Sequence, residues 1–312
     1  MTASIHRFRI QTIAVPLAIA VFLGLAHSLS AADSEKLWVA SPLTKPKEFT
    51  PGIEGPACDR EGNIFAVCFD RDHTIGRVTP QGVGEIWVTL PEKSSGNGIV
   101  FSPAGQMFVA DYTGHNVLQI DPATKKISVF AHEAKMSQPN DLAIAPNGVL
   151  WASDPNWANG MGQVWRINRE GNVALVADKM GTTNGIEVSP DGKLLYVNES
   201  QQRNVWAFDI GADDSLSNKR LLKQFPDHGF DGMRCDVEGN LYIARYGKGT
   251  VAVLSPAGEV VREIDVLGES PSNLCFGGPD GHTVYVTEVK QQRLVQFRAD
   301  KPGLAWQRWQ KK

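Results

Sequence analysis

Several motifs that would assign a function at once are absent from the sequence. It has no G-x-S-x-G elbow, no G-x-x-x-x-G-K-[ST] loop, no H-E-x-x-H and no C-x-x-C-H. These absences argue against a serine esterase of the α/β-hydrolase type, a P-loop nucleotide-binding protein, a zincin and a c-type haem protein. Charge of one sign is also not concentrated, since 31 Lys and Arg stand against 34 Asp and Glu in 312 residues. Without a basic block, nucleic acid is not an expected partner.

Long apolar runs are missing except for one near the N-terminus. Arg7 and Arg9 precede the 13-residue run Ile13–Leu25, and the small residues of Ser28–Ala32 follow it. This order is typical of a secretory signal peptide, and the run is shorter than the ~20 residues of a spanning helix. We therefore expect residues 1–32 to be a signal peptide. The mature protein would be secreted or periplasmic, without a membrane span, and a monomer.

Cysteine is scarce. Export would permit disulfides, but a domain of this size buries enough surface to fold without them. Three of the four cysteines lie in short apolar strands, which favours buried thiols that pack as small hydrophobes; a bridge stays open as the alternative. The four are Cys58, Cys68, Cys235 and Cys275.

Sustained helical spacing is also missing, and an internal repeat stands in its place. Six segments share one plan: a polar residue, an alternating apolar strand, a Gly-containing turn and a second apolar strand. The steps between their polar first residues are 43, 43, 44, 47 and 42. We call these six residues the lead residues: Glu54, Asn97, Asn140, Asn184, Asp231 and Asn273.

Each repeat contains four strand-like runs separated by turn residues. Four short strands in a unit of about 44 residues are typical of a propeller blade. The sequence therefore predicts an all-β fold over residues 33–312, a six-bladed β-propeller with four antiparallel strands per blade. Because a propeller ring must close, the outer strand of blade six should come from Lys36–Ala40 or, alternatively, from Leu304–Trp309.

The lead residues open the innermost strands, which run in one direction along the channel, so they should converge at one mouth. All six carry side-chain oxygens, and an oxygen donor set suits Ca²⁺. Mg²⁺, Mn²⁺ and Zn²⁺ are alternatives, because open oxygen cages accept several divalent ions. The competing interpretation is that Asn or Asp before Gly forms an ordinary turn. That interpretation does not explain Glu54, so we predict one divalent metal on Glu54, Asn140, Asn184 and Asp231.

The motifs at these positions resemble the SMP-30/gluconolactonase family of six-bladed propellers, related to diisopropyl-fluorophosphatase and the paraoxonases. The resemblance covers the mature chain and rests on Glu54-Gly55-Pro56, Pro139-Asn140-Asp141-Leu142, Asn184-Gly185-Ile186 and Asp231-Gly232-Met233. It implies the same four metal ligands and hydrolysis of a lactone or related cyclic ester, a small-molecule substrate. Asp231 is the expected catalytic group, as general base or as nucleophile.

Five further residues are candidates for substrate binding or for the outer sphere of the metal. Sugar lactonases of this family often carry Arg two residues before the third lead residue, where this chain has Gln138. The Gly-rich segment Pro155–Gly162 is expected to be a long loop that places an aromatic ring over the site. The five candidates are Asn97, Asn273, Gln138, Trp157 and His228.

Two other functions stay open at this point. A propeller can hold a structural cation and bind a protein or glycan without catalysis, because the fold alone does not fix function. A metal-dependent phosphotriesterase would use the same residues as a lactonase.

Overall fold

The computed structural model describes residue 1 and residues 36–310, so the predicted signal peptide lies outside the described residues apart from its first. Within residues 36–310 the chain forms 24 strands in six antiparallel sheets of four. The predicted six-bladed, all-β propeller is confirmed. No helix in the described part of the chain is long and apolar enough to cross a membrane.

Each of the first five blades consists of four consecutive strands, ordered from the channel outward. Blade one comprises β2 (Ala57–Cys58), β3 (Ile64–Val67), β4 (Thr74–Val78) and β5 (Gly84–Thr89); blade two comprises β6 (Gly96–Phe101), β7 (Met107–Asp111), β8 (Asn116–Ile120) and β9 (Ile127–His132). Blade three comprises β10 (Leu142–Ile144), β11 (Leu150–Asn156), β12 (Met161–Ile167) and β13 (Val173–Met180). Blade four comprises β14 (Thr183–Val188), β15 (Leu194–Glu199), β16 (Asn204–Ile210) and β17 (Leu216–Gln224); blade five comprises β18 (Met233–Cys235), β19 (Leu241–Arg245), β20 (Thr250–Leu254) and β21 (Val260–Asp265).

Burial decreases from the innermost to the outermost strand of each blade, and the share of apolar residues decreases with it. Every residue of the second strand β7 is buried, because neighbouring blades cover both of its faces. The outermost strand β21 is exposed at all positions but Ile264. Apolar side chains fill the space between blades; between blades one and two, for example, Phe65 meets Trp87 and Phe101 edge to face. Inner strands are therefore continuous apolar runs, and outer strands are mixed.

The N-terminal segment closes the ring. Blade six comprises β22 (Pro271–Gly277), β23 (Thr283–Glu288), β24 (Arg293–Arg298) and, outermost, β1 (Ser41–Pro42). The strand thus begins one residue beyond the predicted Lys36–Ala40, of which Leu37 makes only an isolated bridge to Arg298. The other candidate, Leu304–Trp309, is not a strand.

That C-terminal segment forms helix α1 (Leu304–Gln310), which lies at the end of the channel opposite the lead residues. The Trp309 ring packs edge to face on Phe101 at a centroid distance of 5.3 Å. Arg308 Nη1 donates to the carbonyl oxygen of Ile144 at 2.6 Å, and the helix lines a cavity of about 80 Å³ beneath the innermost strands. The helix therefore closes this lower end.

All four cysteines are free thiols in the structure. Cys235 and Cys275 are buried, as expected for small hydrophobic side chains, and Cys58 and Cys68 are half-buried.

Candidate active site

The lead residues converge at one mouth of the channel, as the repeat predicts. Five of them line a cavity of about 1150 Å³, while Asn273 lies just behind. The open volume is large enough for a small organic substrate together with water. The five lining residues are Glu54, Asn97, Asn140, Asn184 and Asp231.

Glu54 and Asp231 form a half-buried acidic pair at the cavity. Burial raises the pKa of Glu54 to about 7, and the negative charge of Asp141 adds to this rise. Burial also raises the pKa of Asp231 well above its usual range, with the charge of Glu54 as the next cause. Like charges that face each other away from water disfavour ionisation of both groups. A nearby positive charge would reverse this effect.

The amide oxygens at the mouth are incompletely satisfied. The Oδ1 atoms of Asn97 and Asn184 are buried and accept no hydrogen bond from the protein. Asn140 is 7% exposed and its side chain lines the same cavity. Because buried polar atoms are normally paired, unpaired oxygens beside two carboxyl groups point to a missing positive partner.

Asn273 differs from the other lead residues, because its oxygen serves the local backbone. Its Oδ1 accepts from the amide of the next residue, Leu274, at 2.8 Å. Its side chain also hydrogen-bonds Glu54 and lowers the pKa of that carboxyl. Asn273 is thus placed to orient Glu54 from behind.

A polar network that the sequence analysis missed holds Asp231. The carbonyl oxygen of Asp231 accepts from Asn198 Nδ2 at 2.7 Å and from the amide of Gly185 at 3.1 Å. Ser200 accepts from Asn184 Nδ2 at 3.1 Å and donates to the carbonyl of Phe230. The only sequence signal for them is that polar residues end β15 and follow it, with Asn198 inside the strand and Ser200 directly after it.

Glycine after a lead residue allows the next blade to approach closely. A Cβ at Gly55, where φ is +57°, would lie 1.9 Å from the carbonyl oxygen of Asn97. A Cβ at Gly185 would lie 2.6 Å from the carbonyl oxygen of Asp231. The Glu-Gly and Asn-Gly pairs are therefore required by packing between blades at the mouth, beyond any turn preference.

An aromatic wall forms one side of the cavity. Tyr112 and Trp157 line it, and the Tyr112 phenol hydrogen-bonds the side chains of Trp157 and Gln138. Gln138 itself stands behind this wall. The predicted long loop Pro155–Gly162 is wrong in extent, because β11 and β12 continue into it and leave only a 3₁₀ turn over Trp157–Asn159 and Gly160.

His228 also lines the cavity, at its rim. The residue is exposed and has a left-handed backbone with φ of 43°. A Cβ at Gly247 would lie 3.5 Å from its Nδ1, so the ring rests on the β19–β20 turn. His228 is therefore brought to the site that the sequence predicts for it, at the solvent boundary.

A buried ion pair crosses the channel below the mouth. Arg234 Nη1 and Nη2 donate to the two carboxylate oxygens of Asp141 at 2.7 and 2.8 Å, and both side chains are buried. The repeat pattern does not indicate that these two residues meet. The only signal in the sequence is that Arg234 is charged at an innermost-strand position where four of the other five repeats are apolar and the fifth carries Glu187.

The mouth residues fit a divalent cation that prefers oxygen. Two carboxyl groups would balance its charge, and the unpaired oxygens of Asn97 and Asn184 add neutral donors. No group of three or more His, Cys, Asp or Glu side chains in the described chain is placed to hold a metal ion. A cation here would therefore depend on amide oxygens as much as on carboxylates.

Comparison with known proteins gives a consistent result. The model of the SMP-30/gluconolactonase/LRE-like region matches residues 85–290. The chain is 30% identical to diisopropyl-fluorophosphatase from Loligo vulgaris over 85% of this chain and 95% of that protein. It is 26% identical to a gluconolactonase from Zymomonas mobilis over 75% of each chain. A calcium-binding regucalcin from Agrobacterium tumefaciens has a similar fold, with a TM-score of 0.74, 19% identity and coverage of 85% and 96%.

Proposed function

The chain belongs to the SMP-30/gluconolactonase/LRE-like family, and on that premise we propose that it is a divalent-metal-dependent hydrolase of lactones or related cyclic esters. Relatives named as a gluconolactonase and a fluorophosphatase support a hydrolase. The single observation that carries the proposal is the half-buried acidic pair of Glu54 and Asp231 beside unpaired amide oxygens at an open cavity.

Four side chains would hold the cation: Glu54, Asn140, Asn184 and Asp231. When bound, a divalent ion such as Ca²⁺ polarises a substrate carbonyl and offsets the negative charge that develops on its oxygen. The calcium-binding relative supports this choice of metal. Asn97, whose Oδ1 is unpaired, would orient water or substrate from the neighbouring blade.

Asp231 would be the proton acceptor. Its backbone carbonyl is fixed by Asn198 and Gly185, and the residue lines the cavity. We infer that an Oδ atom takes a proton from the attacking water. If the carboxylate instead attacks the carbonyl, single-turnover hydrolysis in H₂¹⁸O will label the Asp231 peptide rather than the product acid.

The aromatic wall of the cavity would select the substrate. Trp157 and Tyr112 offer apolar and hydrogen-bonding surface, and Gln138 stands behind them without a charge. His228 at the rim would contact the part of the substrate nearest to solvent. Arg203 also lines the cavity but donates to the carbonyl oxygen of Pro226, so we propose a ring ester whose substituents contact the aromatic wall.

A phosphotriesterase is the second candidate. It is favoured by one observation: the fluorophosphatase aligns with 95% of its length, more than the gluconolactonase does at 75%. The same oxygen donors would serve a phosphoryl oxygen as well as a carbonyl.

The test is metal-dependent turnover across substrate classes. Purified protein is assayed by acid release against aldonolactones, aliphatic lactones, aryl esters and diisopropyl fluorophosphate, with EDTA and then with excess Ca²⁺. We expect lactone hydrolysis that EDTA abolishes and Ca²⁺ restores. Turnover of the fluorophosphate alone would favour the second candidate. No turnover, with an unchanged circular dichroism spectrum, would favour a non-catalytic binding propeller.

We also propose that the chain is exported, on the strength of Arg7, Arg9 and the apolar run Ile13–Leu25. Expression of the full chain in a Gram-negative host followed by fractionation and N-terminal sequencing tests this. A mature N-terminus close to Ala32 in the periplasm is expected, and an intact cytoplasmic protein would contradict it.

A further inference from the structure

The outermost strand of blade six, β1, closes the ring by pairing with β24, and this pairing is very short. β1 has two residues, both exposed, whereas the outermost strands of the other blades have six to nine. Neighbouring backbone adds single hydrogen bonds, such as Trp38 N–H to the carbonyl of Arg298 at 2.9 Å. The seam between blades six and one is therefore the part of the ring with the shortest outer strand.

Two thiols face each other on the inside of the same seam. Cys58 lies on β2, the innermost strand of blade one, and Cys275 lies on β22, the innermost strand of blade six. Their Sγ atoms are 3.6 Å apart, although 217 positions separate them in the chain. Gly277 lies on the same face of β22 as Cys275, and a Cβ there would lie 2.4 Å from Cys58 Sγ. The missing side chain leaves space for the Cys58 sulfur.

We propose that Cys58 and Cys275 form a disulfide that closes the propeller ring covalently. The sulfur atoms need to approach by about 1.5 Å to reach bonding distance, a movement within reach of side-chain rotation. The proposal stands on this pairing alone and does not depend on the proposed hydrolase function.

The oxidant is a disulfide donor, such as oxidised glutathione or an oxidoreductase of an exporting compartment. The Cys58 thiolate attacks the donor and releases one thiol, which leaves a mixed disulfide. Cys275 then gives up its proton, attacks the Cys58 sulfur and releases the second thiol. Two thiol protons and two electrons thus pass from the cysteines to the donor.

The surroundings of the two thiols indicate when the disulfide would form. Both side chains border the cavity of about 80 Å³ beneath the innermost strands, where helix α1 limits access. Burial also raises the pKa of the Cys58 thiol, which lowers its thiolate fraction in the folded protein. We therefore expect the bond to form while the chain folds and to be slow to form or break afterwards.

The test compares the full chain refolded with oxidised and reduced glutathione against the same chain refolded with a strong reductant. After denaturation, alkylation and peptide mass mapping, the oxidised sample should show two free thiols and one Cys58–Cys275 linked peptide. Its Tm should be roughly 5 °C higher than that of the reduced sample, because the bond restrains a long loop.

Variants make the comparison specific. Cys58→Ser and Cys275→Ala should each abolish the difference in Tm, and Cys68→Ser, which changes a half-buried cysteine elsewhere, should keep it. Four free thiols in the oxidised wild type, or a linkage through Cys68 or Cys235, would overturn the proposal. A linked pair that gives no rise in Tm would overturn its role in closing the ring. Mapping of the wild type decides the pairing even if a variant does not fold.

Discussion

The channel holds two layers of acids, half-buried at the mouth and buried below it, and within the described residues only the lower layer has cationic partners. At the mouth, no ion pair within the described chain reaches Glu54 or Asp231. Farther along the same strands, Arg234 binds Asp141 through two hydrogen bonds. Burial raises the pKa of Glu187, and the positive charge of Arg234 opposes this rise. Arg308 from helix α1 adds a further positive charge beside Glu187.

The difference separates a structural use of buried charge from a functional one. A buried carboxylate is tolerated when it is paired and fully hydrogen-bonded, as Asp141 is. Unpaired carboxylates cost stability unless a ligand supplies the opposite charge, and such sites are candidates for function. The charges of the lower layer are therefore balanced within the chain, whereas under the proposed function the mouth would take its positive charge from a bound cation.

The largest expected effect comes from the acid at the mouth. Asp231→Asn should lower turnover about 10³-fold, because it removes the proton acceptor and one carboxylate. The Tm without added metal should stay equal or rise, since the repulsion between Asp231 and Glu54 is gone. Asp191→Asn, an acid in a blade-four turn away from the cavity, is the control and should leave turnover within about threefold. Full activity of Asp231→Asn would remove Asp231 from the mechanism.

The second effect tests the lower layer. Arg234→Met should cost about 3–5 kcal/mol in the free energy of unfolding, because Asp141 would stay buried without its partner. The double variant Asp141→Leu with Arg234→Met should recover most of this loss, since no buried charge remains. Urea unfolding of both variants and of the wild type measures these differences in the free energy of unfolding. Equal stability of the single and double variants would show that pairing with Asp141 is unimportant.

The sequence predicted the mouth better than the layer beneath it, and the reason is physical. The fold and the convergence of Glu54, Asn140, Asn184 and Asp231 follow from the spacing of the repeats, because every blade repeats one geometry. Arg234 and Asp141 pair across two blade steps, so no local pattern indicates that they meet. The outer strand of blade six was left open because a two-residue strand carries almost no periodic signal.

The third effect distinguishes the layers by their response to metal. Saturating Ca²⁺ should raise the Tm, since a ligand at 100 times its Kd stabilises the native state by about 2.7 kcal/mol. Glu54→Gln should lose most of this shift, whereas Arg234→Met should keep it from its lower starting Tm. Differential scanning calorimetry with EDTA and with Ca²⁺ checks both. If Glu54→Gln kept the Ca²⁺-induced rise in Tm, the cation would bind at a site other than the mouth.

The smallest effect concerns the helix that closes the lower end of the channel. Arg308→Leu removes the 2.6 Å hydrogen bond to the carbonyl oxygen of Ile144 and one of the positive charges beside Glu187. A hydrogen bond from a charged donor contributes about 1.5–3 kcal/mol, and partial exposure of Arg308 places this variant at the lower end of that range.

The same variant also tests whether the two layers are independent. Among the described residues Arg308 lines the lower cavity and not the mouth cavity. Its loss should therefore reduce the free energy of unfolding while KM, kcat and the Ca²⁺-induced shift in Tm stay unchanged. Arg60→Leu is the matched comparison, because it also removes an arginine at the lower end of the channel. Arg60 lies over the ring of Trp309 and donates to the carbonyl oxygen of Pro103. If Arg308→Leu altered the Ca²⁺ shift, the lower charges would act on the mouth through Glu187 and Arg234, and the division into structural and functional layers would fail.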